Sequence, residues 1–108
     1  MDWYRVQCND SACTLDVRPP GSEPWTARFA WSDIVRVCFE VGDFMASDTF
    51  YVFVEGREAS YAIPSEGVGA SELAGCFERQ GLFPVEVLLE AMKGEDGAIT
   101  CFPPMNVE

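Results

Sequence analysis

Histidine is absent from this chain of 108 residues, and basic residues are scarce. Seven lysines and arginines stand against eighteen aspartates and glutamates, so the formal net charge is −11. Without histidine the chain has no Ser–His or Cys–His pair for nucleophilic catalysis and no zinc site of the common Cys/His type. We therefore expect a protein that is not an enzyme and that holds neither a metal nor a cofactor.

The few basic residues are dispersed along the chain, and each lies near acidic residues. Nucleic acids and anionic membrane surfaces bind proteins through clustered lysine and arginine, so neither is an expected partner. A surface of negative charge attracts a basic protein instead. The plainer interpretation is that the acidic excess only keeps a small hydrophobic domain soluble.

The sequence also lacks an apolar run of membrane-spanning length, and its first residues show no signal-peptide pattern. Its five cysteines are an odd number, and none are arranged Cys-x-x-Cys. Four of them, Cys8, Cys38, Cys76 and Cys101, fall in apolar-patterned segments, where free cysteine behaves as a small buried hydrophobe. We expect a cytoplasmic protein whose thiols are reduced and structural.

What the chain does contain is apolar and aromatic: 48% of its residues are hydrophobic. That content is too high for disorder, and residues 1–108 are expected to form one domain with its own core. Period-two alternation predicts strands at residues 4–8, 13–17, 25–31, 35–41, 49–54, 59–63 and 98–102. Within residues 35–41 the predicted inward face is Val35, Val37, Phe39 and Val41. Residues 49–54 are apolar on both faces, which predicts a central strand.

Two short helices are predicted between the sixth strand and the last. The first has Ser71 as its N-cap and ends at Gly81. Its predicted apolar stripe is Leu73, Cys76, Phe77 and Gln80. The second opens with Pro84 and ends before Gly94. Its predicted stripe, at helical spacing, is Val85, Leu88, Leu89 and Met92. The expected fold is α+β: a strongly bent antiparallel sheet or partly open barrel of six to seven strands, with both helices over one face or opening.

Three groups of residues are candidates for binding. Asp43 and Asp48 flank a connection between two strands and could coordinate a hard cation or share a proton, although aspartate is also an ordinary turn residue. Phe44 and Met45 lie between them and form either a binding knob or a pair folded back onto the sheet edge. Glu86 and Glu90 belong to an acidic helix face, which is either solvated or serves a basic partner.

Several motifs between residues 31 and 102 resemble a widespread group of small, acidic bacterial proteins of uncharacterised function. The motifs are Trp31-Ser32-Asp33-Ile34, Ser47-Asp48-Thr49-Phe50-Tyr51-Val52, Ile63-Pro64-Ser65-Glu66-Gly67, Glu72-Leu73, Phe83 and Val85 onward to Ala91-Met92. Where those proteins often end in Cys-Trp, this chain has Cys101-Phe102. The Trp-x-Asp-Ile step is also similar to bacterial pleckstrin-homology-like domains. The basic phosphoinositide loop of lipid-binding relatives is absent, so lipid binding is not implied.

The sequence favours a binding module with an acidic surface, one version being an immunity-type inhibitor of a basic toxin. The alternative is a small-molecule or metal-binding protein, or an enzyme, that uses carboxylates such as Asp43 and Asp48 at a barrel mouth. An uncovered strand edge would allow a homodimer, and a monomer is the other expectation.

Overall fold

The first three strands form one antiparallel sheet, here called sheet A. In the computed structural model, which describes residues 1–104, β1 spans Tyr4–Cys8, β2 spans Ala12–Val17 and β3 spans Trp25–Ala30, in the order β1-β2-β3. The β1–β2 turn is tight because the Asn9 side chain accepts the backbone N–H groups of Ser11 and Ala12, both at 2.8 Å. The last four residues of the expected domain lie outside the described part of the chain.

The other four strands form a second antiparallel sheet, sheet B. Its strands are β4 (Ile34–Glu40), β5 (Thr49–Val54), β6 (Tyr61–Pro64) and β7 (Ile99–Phe102), in the order β6-β5-β4-β7. The prediction that residues 49–54 form an interior strand is confirmed, because β5 pairs with β4 on one side and β6 on the other. Phe50 and Val52 are buried on its inner face, whereas Tyr51 and Phe53 are half-buried on the outer face.

The α+β class, the antiparallel strands and the two short helices are confirmed. The strands nevertheless form two sheets rather than one bent sheet, and within residues 1–104 the sheets do not close into a barrel. The helices are α1 (Leu73–Arg79) and α2 (Val85–Ala91), with short 3-10 turns at Trp31–Asp33 and Ala70–Glu72. No helix of the described chain is long and apolar enough to cross a membrane.

Helix α1 buries the predicted side chains Leu73, Cys76 and Phe77, but Gln80 is exposed. Its end at Gly81 is confirmed: Gly81 adopts a φ of 71° and its N–H bonds to the Glu78 carbonyl. Ser71 is not the N-cap, since it lies inside the 3-10 turn that leads into the helix.

The rings between the two sheets make the core. Phe77 of α1 lies edge-on to Trp31 at 6.1 Å and to Phe50 of β5 at 5.2 Å, measured between ring centroids. Phe50 also meets Phe39 at 5.1 Å and Phe83, just before α2, at 5.7 Å. Edge-to-face pairs of this kind add to the hydrophobic gain of burying each ring. This aromatic cluster therefore packs α1 against sheet B and fixes Phe83 just before α2.

Helix α2 does not bury its predicted stripe. Ala91 is its buried residue and Val87 and Leu88 are half-buried, while Val85, Leu89 and Met92 are exposed. The spacing correctly identified an apolar stripe, but it could not show whether another element covers that stripe. The helix touches sheet B with its Val87–Ala91 side, so the Val85–Leu89–Met92 stripe lies on the outside.

The predicted inward face of residues 35–41 is also wrong in part. Val37 and Phe39 are buried, but Val35 is 53% exposed and Ile34 is buried in its place. The cause is a register shift between Ile34 and Arg36 in the β4–β5 pairing. Such an irregularity moves the preceding side chain to the opposite face of the sheet.

The expectation that all thiols are reduced is wrong for two of them. Cys38 of β4 and Cys101 of β7 stand opposite each other and form a disulfide across a sequence separation of 63 residues. This bridge ties the last strand to the middle of sheet B. Cys8, Cys13 and Cys76 are free.

Reduction of this bridge is predicted to lower the free energy of unfolding by about 4 kcal/mol, because a long loop of the unfolded chain is no longer closed. Urea unfolding with and without a phosphine reductant measures the change. A Cys38→Ala/Cys101→Ala double variant is the control and should not respond to the reductant. An unchanged wild-type midpoint would show that the bridge contributes nothing.

Candidate functional site

The loop between β4 and β5, here called the knob loop (residues 42–48), is built by its two aspartates. Asp43 Oδ1 accepts the N–H groups of Met45 at 2.7 Å and Ala46 at 2.9 Å. Asp48 Oδ1 accepts the N–H of Gly42 at 2.7 Å and so closes the base of the loop. The plainer interpretation of these residues, as turn formers, therefore describes what their carboxylates do.

Gly42 is required by the close approach of the two ends of this loop. A Cβ atom at position 42 would overlap the backbone carbonyl oxygen of Ala46 and the backbone of Ser47. Any larger residue would force the ends apart and break the Asp48 hydrogen bond. The loop is therefore a closed turn held by its own backbone, not an open connection.

At the tip of the knob loop stand two large apolar side chains. Phe44 is 95% exposed and Met45 is 78% exposed, so Phe44 does not fold back onto the sheet edge. Leaving such side chains in water forgoes roughly 2 kcal/mol each that burial would contribute. A fully exposed aromatic on a closed loop is typical of a contact residue that a partner covers.

Glu86 and Glu90 lie on the outer side of α2 and are exposed. Glu90 pairs with Lys93 at 3.3 Å, and both side chains are largely in solvent, so this ion pair contributes little. The same side of the helix carries the exposed Val85–Leu89–Met92 stripe. Acidic and apolar groups thus alternate along the solvent side of α2.

The knob loop and the end of α2 emerge from the same end of sheet B. Val41, the residue before the loop, donates its N–H to the Ala98 carbonyl at 3.0 Å and accepts the N–H of Gly97 at 2.8 Å. Gly94, just after α2, lies against Val41 and Ala98. The knob residues and Glu90 therefore share this end, whereas Glu86 lies in the first turn of α2, farther away.

Charge is segregated over the molecule. The knob loop and residues 86–96 together carry six acidic residues and one lysine, which is a local charge of 1 − 6 = −5. Arg5 and Arg28 lie instead on the outward face of sheet A, with Arg18 at the end of β2 paired to Asp16 at 3.2 Å. The end that presents Phe44 and Met45 is thus strongly negative.

The two candidate aspartates do not converge with other carboxylates. Each points an oxygen at backbone N–H groups of its own loop. Among residues 1–104 no group of three or more aspartate, glutamate or cysteine side chains is placed to hold a metal ion. The observed contacts of Asp43 and Asp48 stabilise the loop.

The three free thiols form a cluster between β1, β2 and α1. The Sγ atoms of Cys8 and Cys13 are 3.8 Å apart, and Arg79 donates to the Cys76 thiol at 3.3 Å. A hydrogen bond to Cys13 and burial raise the pKa of Cys8, and burial raises the pKa of Cys76 despite the nearby Arg79. A thiol whose pKa is raised stays protonated at neutral pH and is a poor nucleophile. Their structural interpretation fits this placement.

Two features escaped the sequence analysis: the exposure of the α2 stripe and the disulfide. The spacing of the stripe is visible in the sequence, but its exposure is not, because a buried and an exposed apolar stripe have the same spacing. The disulfide had a signal, since Cys38 alternates with the inward Val37 and Phe39 and so belongs to the outer face with Arg36 and Glu40. A cysteine on the outer face of a strand suggests a cross-strand partner.

Comparison with protein-family models, with curated proteins and with solved structures finds no match for this chain. The bacterial group that the sequence resembles therefore stays a prediction, and function rests on the residues and their geometry.

Replacing Asp48 by alanine is predicted to lower the free energy of unfolding by about 1–2 kcal/mol, because the Gly42 N–H loses its charged acceptor. Amide hydrogen exchange at Gly42 should accelerate at the same time. Asp48→Asn keeps an acceptor and should cost less, and Asp96→Ala is the exposed control. Equal stability of the Asp48 and Asp96 variants would contradict a role of Asp48 in closing the loop.

Proposed function

We propose that this protein is a non-enzymatic interaction module that docks a basic protein partner through its knob loop. The observation that carries the proposal is the near-complete exposure of Phe44 and Met45 on a loop that Asp43 and Asp48 hold closed. A closed loop loses little conformational freedom when a partner covers it, which favours binding.

The charges around the knob loop support a partner of positive charge. The knob loop together with residues 86–96 carries a local charge of −5, of which Glu86 and Glu90 are the part on α2. Opposite charge accelerates encounter and excludes acidic competitors, while the buried aromatic supplies the affinity. In this proposal Phe44 and Met45 provide the buried contact with the partner, and the acidic residues attract the partner electrostatically.

The proposal extends to the type of module, its origin, its location and its fold family. An immunity-type inhibitor of a basic toxin is one form of such a module, and its acidic knob would cover a basic active site. A bacterial origin, a cytoplasmic location and a pleckstrin-homology-like fold remain proposals too, the last supported by seven antiparallel strands in two sheets. A monomer is favoured over a homodimer, because two copies of charge −11 repel each other.

Affinity capture from the native lysate tests this function. Wild-type bait should retain a basic protein, and a Phe44→Ser/Met45→Ser bait should retain at least about tenfold less of it, because the anchors are lost. Retention should also fall as salt rises, because the steering charges are screened. The retained protein is then purified and its Kd for each bait is measured by calorimetry.

A Val35→Ser bait is the matched control, since Val35 is an exposed apolar residue of β4 outside the knob loop. It should bind as the wild type does. Retention of acidic proteins only, or equal losses for the knob and Val35 baits, would refute the proposed docking mode.

A further inference from the structure

Strand β7 presents a sheet edge that is unpaired within residues 1–104. It ends the order β6-β5-β4-β7, so one side pairs with β4 and the other side meets no strand among residues 1–104. Free strand edges expose rows of N–H and C=O groups that can pair with another chain. Proteins usually guard such edges with charges, prolines, bulges or covering segments.

The other edges carry a covering segment, a charge or a proline inside the strand, whereas at β7 the prolines, Pro103 and Pro104, come only after the strand. The outer side of β1 is covered by Val68, which exchanges backbone hydrogen bonds of 2.8 Å with Tyr4 and Val6. Strand β3 carries a charge at Arg28, and β6 ends in Pro64. Strand β7 reads Ile-Thr-Cys-Phe, with no charge and no proline inside it and no register shift against β4.

An apolar groove runs beside this open edge. It has a volume of about 660 Å³ and is lined by Val87 of α2 together with residues 99–102 and Pro104. Ile99, at its start, is 58% exposed and directed to the outer face opposite Glu40. An extended peptide laid along β7 would pair with the edge and place alternate side chains into this groove.

The charges around the groove decide the kind of peptide. Five acids belong to the elements that border it: Glu86 and Glu90 are near Val87 on α2, Glu95 and Asp96 precede β7 in the chain, and Glu40 pairs with Ile99. Two cations are also near, since Lys93 pairs with Glu90 and Arg36 donates to the Pro103 carbonyl at 2.9 Å, so the formal charge of these seven residues is 2 − 5 = −3. An acidic rim around an uncharged strand matches a segment in which apolar residues alternate with lysine or arginine.

We propose that β7 accepts an extended basic segment of the partner as a fifth strand of sheet B. The inference rests on the proposed function for the basic character of the partner, and it adds the binding mode. The knob loop and the start of β7 lie at the same end of the sheet, joined through Val41 and Ala98. One partner can therefore cover Phe44 and extend along β7. Self-pairing of β7 between two copies is disfavoured because it brings two acidic rims together.

A short synthetic peptide of alternating lysine and valine tests the binding mode on the full chain. Its addition should shift the amide resonances of Ile99–Phe102 and slow their hydrogen exchange. Two matched peptides are controls: one with glutamate in place of lysine, and one with alternate backbone N-methyl groups that remove the pairing donors. Both should bind at least about tenfold more weakly.

Ile99→Lys should weaken the lysine–valine peptide by about tenfold or more, because it places a cation on the edge. Val35→Lys makes the same charge change at a similarly exposed position of β4 and should bind like the wild type. Amide spectra of both variants report that the fold is intact. Equal weakening by both substitutions would overturn strand addition at β7.

Other outcomes also overturn the inference. These are a dimer in sedimentation that pairs β7 with β7, and β7 amides already protected in the free chain by its own residues 105–108. Peptide shifts confined to the knob loop would overturn strand addition while leaving the proposed function intact. Conversely, β7 binding that survives Phe44→Ser, together with failure of the knob-dependent capture, would retain the strand site and remove the knob loop as the anchor.

Discussion

The contact of Phe77 with Trp31 on one side and Phe50 on the other is the interaction on which the architecture depends. Sheet A and sheet B share few backbone contacts. Tyr61 of β6 stacks on Phe29 of β3 at 5.2 Å, and Phe77 of α1 fills the space beside Trp31 and Phe50. Phe50 also packs against Phe83, which lies just before α2 and positions the start of that helix. Because the core is filled from within by α1, helix α2 packs at the edge of sheet B and keeps an apolar side in solvent.

The local sequence pattern predicts most of the helices and strands. It does not predict which side of an element is buried where that depends on the neighbouring elements. Alternation predicted β1 and β5 with their observed bounds, because the alternation of apolar and polar residues is a local property of each strand. The inward side of β4 could not be read in the same way, because the register shift after Ile34 depends on pairing with β5. Likewise, the stripe on α2 is visible in the sequence, but which side meets the sheet is decided by Phe83 and Ala91.

The candidate site, like the fold, is partly predictable from the sequence and partly decided by tertiary structure. That residues 43–48 form a connection with two apolar residues between two aspartates follows from composition. Only the closed backbone geometry around Gly42 shows that the carboxylates bind the loop's own N–H groups. The same geometry directs Phe44 away from the sheet. The distribution of charge is tertiary too: three of the six arginines, Arg5, Arg18 and Arg28, come near one another because β1, β2 and β3 are adjacent in sheet A.

The Cys38–Cys101 bridge has a mechanical consequence for any partner that holds β7. An edge strand under tension normally peels away one hydrogen bond at a time, starting from its end. Here a pull on Ile99–Phe102 would reach β4 through a covalent link near the middle of the four-residue pairing. The load would therefore be shared by β4 and its other neighbour β5, and the strand could not detach from the sheet without breaking a bond that thermal motion does not break.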